Sequence, residues 1–212
     1  MLKKLKDKVF STLPVGYRFR RIYSHNQWGS EESVSGEGST LAYTENVRNG
    51  LGHILYKHKV ASIVDVACGD FNWMRVFLQD YTCHYTGVDI VSDVIAANKA
   101  QYGSENVEFY ELNVIESIPP LGDITLFRDC ILHLSFDDGM RALRNIAKSG
   151  SPFVLTSSYP QESNSEDIVT GRWRRVNLME PPYNLPAPIQ SIDENAPGKI
   201  LGVWKCSDLS HL

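Results

Sequence analysis

The feature that most constrains this chain is a glycine-centred bend between two apolar runs, within residues 60–98. Ile63, Val64, Val66 and Ala67 make a short run rich in β-branched residues, which predicts a buried strand. Cys68-Gly69-Asp70 breaks the run, and Phe71 to Asp80 has the mixed spacing of a helix. A second strand, Tyr85 to Ile90, carries an acid, Asp89, twenty positions after Gly69. Strand, glycine turn, helix, strand and terminal acid is the layout of a nucleoside-binding βαβ unit.

The number of glycines narrows the nucleoside. A dinucleotide fold uses three, partly so that backbone can approach a pyrophosphate. This turn has one, Gly69, and a pyrophosphate there would meet side chains, including the like-charged Asp70. S-adenosylmethionine (SAM) has no phosphate and carries a sulfonium and an ammonium, so carboxylates at Asp65 and Asp70 favour it. Asp89 then takes the ribose hydroxyls. Asp65-Val-Ala-Cys-Gly-Asp resembles the first motif of class I SAM-dependent methyltransferases, usually acid-x-Gly-Cys-Gly-x-Gly. It departs from that form at Ala67 and Phe71, where glycine is usual.

Composition sets the frame. With 212 residues, 42% hydrophobic content and a net charge of −4, the chain suits one α/β domain of ordinary solubility. The acidic balance disfavours a nucleic-acid partner bound by general electrostatic attraction. Cys68, Cys83, Cys130 and Cys206 stand far apart, which fits reduced thiols in the cytoplasm better than a disulfide framework or a zinc site. No apolar run approaches the roughly 20 residues of a membrane span.

Residues 1–21 hold seven basic side chains against one acid, and Lys3 to Thr12 has the spacing of a short amphipathic helix. Such a helix suits either an anionic membrane surface or packing against the domain. Residues 22–212 form the single domain. In it, residues 22–43 are a Gly/Ser-rich loop containing Trp28, a candidate lid over the site. Thr44 to His58 predicts a helix, with Val47, Leu51, Ile54 and Leu55 on one face. A helix over Ser92–Tyr102 starts from Ser92 as N-cap. Val107–Leu112 is the third strand, followed by Asn113 and Val114 where the adenine would lie, and Asp123–Phe127 is the fourth. A helix at about 137–148, starting from Ser135 or Asp137 as a cap, a fifth strand at 153–157 and two closing strands, 189–192 and 200–205, complete the chain. The predicted architecture is a three-layer α/β sandwich. Its seven-stranded, mostly parallel sheet is closed by a C-terminal antiparallel hairpin.

Ligands in open α/β sheets sit beyond the carboxyl ends of the strands, so Arg128-Asp129-Cys130-Ile131-Leu132-His133 faces the reacting centre. His133 is the candidate base, with Asp129 one turn away to orient its ring. The same pair also offers a carboxylate and an imidazole to a divalent metal such as magnesium. Residues 160–188 form a Pro- and Arg-rich candidate substrate loop. Tyr159, Arg172, Trp173, Asn177 and Tyr183 supply donors and flat faces suited to a sugar ring, a phenol or a carboxylate. Glu180-Pro181-Pro182-Tyr183 looks like the motif of methyltransferases acting on planar amino groups, but it does not follow the fourth strand as that chemistry requires.

Further segments extend the resemblance: Gln27-Trp28-Gly29-Ser30, Ser35-Gly36-Glu37-Gly38-Ser39, Asp70-Phe71-Asn72-Trp73-Met74, Leu134-Ser135-Phe136 and Gly202-Val203-Trp204-Lys205. Over residues 22–205 the chain is similar to a group of small bacterial class I methyltransferases associated with cell-surface glycan modification. The resemblance implies SAM as cofactor, held by Trp28, Ser39, Asp65, Ala67, Cys68, Gly69, Asp70, Asp89, Ile90, Asn113, Val114 and Arg128. It implies O-methylation of a small-molecule or glycan acceptor. A non-catalytic SAM- or nucleotide-binding subunit of a partner enzyme, and then an NAD-dependent oxidoreductase, are the competing readings.

Overall fold

A computed structural model describes residues 9–212. Most of the expected Lys3–Thr12 helix, and the basic face that might have met a membrane surface, therefore lies outside the described residues; residues 9–11 are helical. Helix α1 (Val15–Ser24) and helix α2 (Glu45–His58) precede the sheet. Then follow β1 (Ser62–Val66), α3 (Met74–Asp80), β2 (His84–Asp89), α4 (Ser92–Tyr102), β3 (Val107–Glu111) and β4 (Ile124–Phe127). Helix α5 (Phe136–Lys148), β5 (Phe153–Ser158), β6 (Gln190–Asp193) and β7 (Ile200–Lys205) complete the order.

The seven strands form one sheet in the order β3-β2-β1-β4-β5-β7-β6. The first five run parallel, and β7 pairs antiparallel with both β5 and β6. The order reverses at β1, so β1 and β4 diverge into different crossovers and leave a crevice at their carboxyl ends. The strand pattern is the expected one. Strands β1 and β4 are apolar on both faces because helices cover both sides.

One face of the sheet is closed by α2 and α3, with Leu51, Ile54, Met74 and Phe77 in its core. The other is closed by α1 and α5, with Phe19, Ile22, Leu143 and Ile146. No helix precedes β6. Val176, Leu178, Tyr183 and Leu185 of the Pro-rich segment are buried there and cover that part of the sheet instead. Ser135 caps α5 by accepting from the Asp138 amide, one of the two caps that the sequence offered.

Three local expectations are corrected. Helix α1 replaces the start of the supposed 22–43 loop. Within it Arg18 is buried and donates to the carbonyls of Ser11, Leu13 and Thr170. Helix α3 begins at Met74 rather than Phe71, because Phe71 is left-handed (φ 61°). Ser92 does not cap α4. It is the first helical residue, and the amide before it, of Val91, bonds to the Asp89 carboxylate.

Candidate active site

Beyond the carboxyl ends of β1, β2 and β4 lies a cavity of about 320 Å³. The turn after β1 builds its floor. Ala67, Gly69 and Phe71 all adopt positive φ (64°, 58° and 61°), the backbone path that glycine normally takes at alternate positions. A left-handed conformation costs a non-glycine residue roughly 1–2 kcal/mol. At Phe71 packing offsets that cost, since its ring lies 5.0–5.1 Å from those of Tyr85, Tyr102 and Phe109. At Ala67 the amides of residues 67 and 68 both donate to the Val88 carbonyl and so hold the bend on β2. The departures from glycine at 67 and 71 thus leave the loop path unchanged.

Asp89 ends β2 and faces the cavity, accepting from the amides of Gly69 and Val91. Burial raises its pKa against those two bonds. Asp65 is buried at the cavity wall with the Tyr85 hydroxyl donating to it at 2.8 Å. Burial pushes its pKa up to about 7, and the Tyr85 bond opposes the rise. A buried carboxylate with so little cationic support is a natural partner for a bound ammonium or sulfonium. A side pocket of about 30 Å³ opens beside Ala67, Asp89 and Ile90 and is walled by Leu112, Asn113, Val114 and Ile115. These residues stand beside Asp89, where the adenine is expected from the sequence. The Asn113 amide oxygen already accepts from the Ile115 amide, so only one lone pair is left for a ligand.

The segment after α1 closes over the floor. Trp28 and residues 35–39 line the cavity, as do Phe19 and Tyr23 of α1. Asp70 is not part of the lining, which corrects its expected place beside the cofactor's cation. It accepts from the hydroxyls of Ser33 (2.8 Å) and Ser35 (3.1 Å) and ties the segment to the turn. Asn72 donates to Glu32 and to the Ser39 carbonyl. Gly69 is required here: a Cβ would fall 2.2 Å from the Ser35 hydroxyl oxygen. Gly36 likewise has φ 95° and faces the Trp28 Cβ.

The opposite wall is a buried ion cluster. Arg128 Nε donates to Glu194 at 2.7 Å and its Nη1 lies 3.3 Å from Asp129. Lys199 Nζ lies 2.5 Å from Asp129 and 3.1 Å from Glu194, while the Ser157 hydroxyl bonds both acids. Burial alone would raise the Asp129 pKa, yet Arg128 and Lys199 hold it well below the usual carboxylate range. The same carboxylates keep Arg128 and Lys199 charged against burial, which works to lower both. Glu194 and Lys199 were not singled out in the sequence. They flank the β6–β7 turn more than sixty residues from Asp129, and their spacing carries no motif.

His133 follows β4 on a short 3-10 turn, and its Nδ1 lies 2.9 Å from the Arg172 carbonyl. That bond makes Nδ1 the protonated nitrogen and leaves Nε2 as the basic one. Its ring packs 5.2 Å from that of Trp28. Burial lowers its pKa against the Arg172 bond and nearby Asp129, so the imidazole is neutral at neutral pH. The orienting partner is therefore the Arg172 carbonyl rather than Asp129, which the ion cluster already occupies. The cluster also removes Asp129 as a metal ligand. Among the described residues no group of three or more His, Cys, Asp or Glu is placed to hold a metal ion.

Of the remaining candidates, Ser39, Cys68, Ile90, Arg128, Tyr159 and Trp173 line the cavity. Arg172, Asn177 and Tyr183 do not. The Arg172 guanidinium lies over the Phe10 ring, and the Asn177 amide bonds to the carbonyls of Pro160 and Glu162. Tyr183 is fully buried against Phe136. Each is used to hold the 160–188 segment, whose 170–174 stretch bonds to the backbone of Leu132 and His133.

No protein-family model and no curated protein matches the chain. Solved structures do. The N-methyltransferase NodS of Bradyrhizobium japonicum WM9, in complex with S-adenosyl-L-homocysteine, aligns with a TM-score of 0.59 at 10% identity, covering 86% of this chain and 97% of that one. The methyltransferase domain of bacterial CtHen1 (CtHen1-CN) gives 0.58 at 13% identity, covering 77% of this chain and 99% of that one. TnmH gives 0.61 at 16% identity over 80% of this chain, which spans 55% of TnmH. The strand order, the closing hairpin and these likenesses together identify the fold as that of the class I SAM-dependent methyltransferases.

Proposed function

We propose that this protein is a SAM-dependent methyltransferase that methylates a hydroxyl oxygen of a sugar or related polyol, with His133 as general base. The observation that carries the reading is a single cavity with two unlike ends: Asp89, Asp65 and the Gly69 bend at one, and a neutral, oriented His133 at the other. When bound there, SAM supplies a methyl group on a cationic sulfur. Asp65 and Asp89 favour that cation and fix the ribose, and the purine lies against Asn113 and Val114. Arg172 holds the imidazole so that Nε2 accepts the acceptor's hydroxyl proton as the new carbon–oxygen bond forms and the sulfur–carbon bond breaks. Trp173 and Tyr159 offer faces for a ring. The Ser33–Asp70–Ser35 latch holds the 30–39 segment over the reacting centre, where it excludes water. No described helix is long and apolar enough to cross a membrane.

Calorimetry with S-adenosylhomocysteine and a methyl-transfer screen over sugars, polyols and phenols test this reading. Wild type is expected to bind the nucleoside, with exchange of the 33–39 amides slowed in the complex. Asp89→Ala is expected to lose about 10–100-fold in affinity. His133→Ala should keep that affinity and lose about 10²–10⁴-fold in transfer rate. Binding of NADH in preference to the nucleoside, or unchanged transfer by His133→Ala, overturns the reading. Binding without transfer to any acceptor favours a non-catalytic subunit.

A further inference from the structure

The charges around the cavity are lopsided. Four carboxylates (Glu37, Asp65, Asp89, Asp129) line it against two cations, Arg128 and Lys199. Both cations are already engaged, because Asp129 bonds them on one side and Glu194 on the other. The arginines that would greet an anion lie elsewhere: Arg174 pairs with Asp167, and Arg175 with Glu162. Among the described residues nothing bonds the Glu37 carboxylate, which stands at the cavity's edge on the short 37–39 turn.

We propose that this cavity selects acceptors carrying no negative charge near the methylated position, with Glu37 as the specificity-determining residue. The inference rests on the proposed function. A bound cofactor brings one net positive charge, which Asp65 and Asp89 more than offset, and the four-residue ion cluster sums to zero. Glu37 then adds an unpaired negative charge to a cavity that already carries a surplus of one. An anionic acceptor is repelled by this surplus, which solvent screens only in part inside the cavity. An uncharged ring gains the same contacts with Trp173 and Tyr159 without that repulsion.

Matched acceptors test the selection: methyl glucoside against methyl glucuronide, and catechol against 3,4-dihydroxybenzoate. Binding to protein loaded with S-adenosylhomocysteine, which lacks the sulfonium charge, reports by ligand-observed NMR whether an acceptor engages, and the charge preference is read from transfer, as release of that product from SAM. In wild type the neutral member of at least one pair is expected to be favoured by at least about tenfold. Glu37→Gln should shrink that gap to about threefold or less. An anionic member that does as well as its neutral partner overturns the selection. So does a gap that Glu37→Gln leaves intact, or failure of every pair to engage the loaded protein. Failure of S-adenosylhomocysteine to bind at all is a separate result and overturns the proposed function instead.

Discussion

The two ends of the cavity are built in opposite ways. The cofactor end comes from one stretch of about 25 residues, Asp65 to Asp89, in which a strand, a bend and a second strand bring two carboxylates together locally. The acceptor end is assembled from Arg128 and Asp129 after β4, His133 on the next turn, Trp173 in the 160–188 segment, and Glu194 and Lys199 of the closing hairpin. The first end stores a little backbone strain and keeps its carboxylates thinly supported, ready for a cation. The second spends its charges on one another. A site can thus leave its carboxylates open to a charged ligand at one end while most of the charges at the other are already paired.

The largest expected effect lies at the acceptor end. Glu194→Ala leaves Arg128 and Lys199 buried with only Asp129 between them and is expected to cost about 3–5 kcal/mol of stability, read from urea denaturation. A loss below about 1 kcal/mol would mean that water already screens the cluster and would remove the contrast with the cofactor end.

The next effect lies at the cofactor end and depends on pH. Burial holds the Asp65 carboxyl at about 7, above its ordinary 3.8. At low pH both folded and unfolded chains are protonated there. Between about 4 and 7 the unfolded chain ionises first, so stability falls as pH rises, and it levels off above the folded value. Asp65→Asn should flatten that slope, for a difference on the order of a few kcal/mol between the two ends of the window. Parallel slopes for the variant and wild type in denaturant titrations at pH 5 and 7.5 would reassign the slope to other groups.

The smallest effect concerns the bend. Ala67→Gly relieves a left-handed alanine and is expected to stabilise by up to about 1 kcal/mol. Destabilisation in thermal melts would show that the alanine methyl packs more than the backbone strains.

Much of the fold was legible because its signals are local. Apolar strands, the Thr44–His58 helix face and the Ser135 cap each announce themselves within a few residues, and short-range sterics then dictate the elements. Helix α1 was not legible, since Arg18 belongs inside only once the carbonyls of Ser11, Leu13 and Thr170 surround it. Asp70 and Tyr183 have the chemistry of ligand contacts, yet the fold uses one as a latch and the other as core.

The sequence by itself determined the succession of strands and helices, the Gly69 bend and the acid at the end of β2, because each depends on neighbours along the chain. Only the tertiary structure decided which charges are free. Whether a carboxylate greets a ligand or neutralises a cation depends on what the fold brings within about 3–4 Å of it, and at Asp129 one such partner, Lys199, comes from seventy residues away.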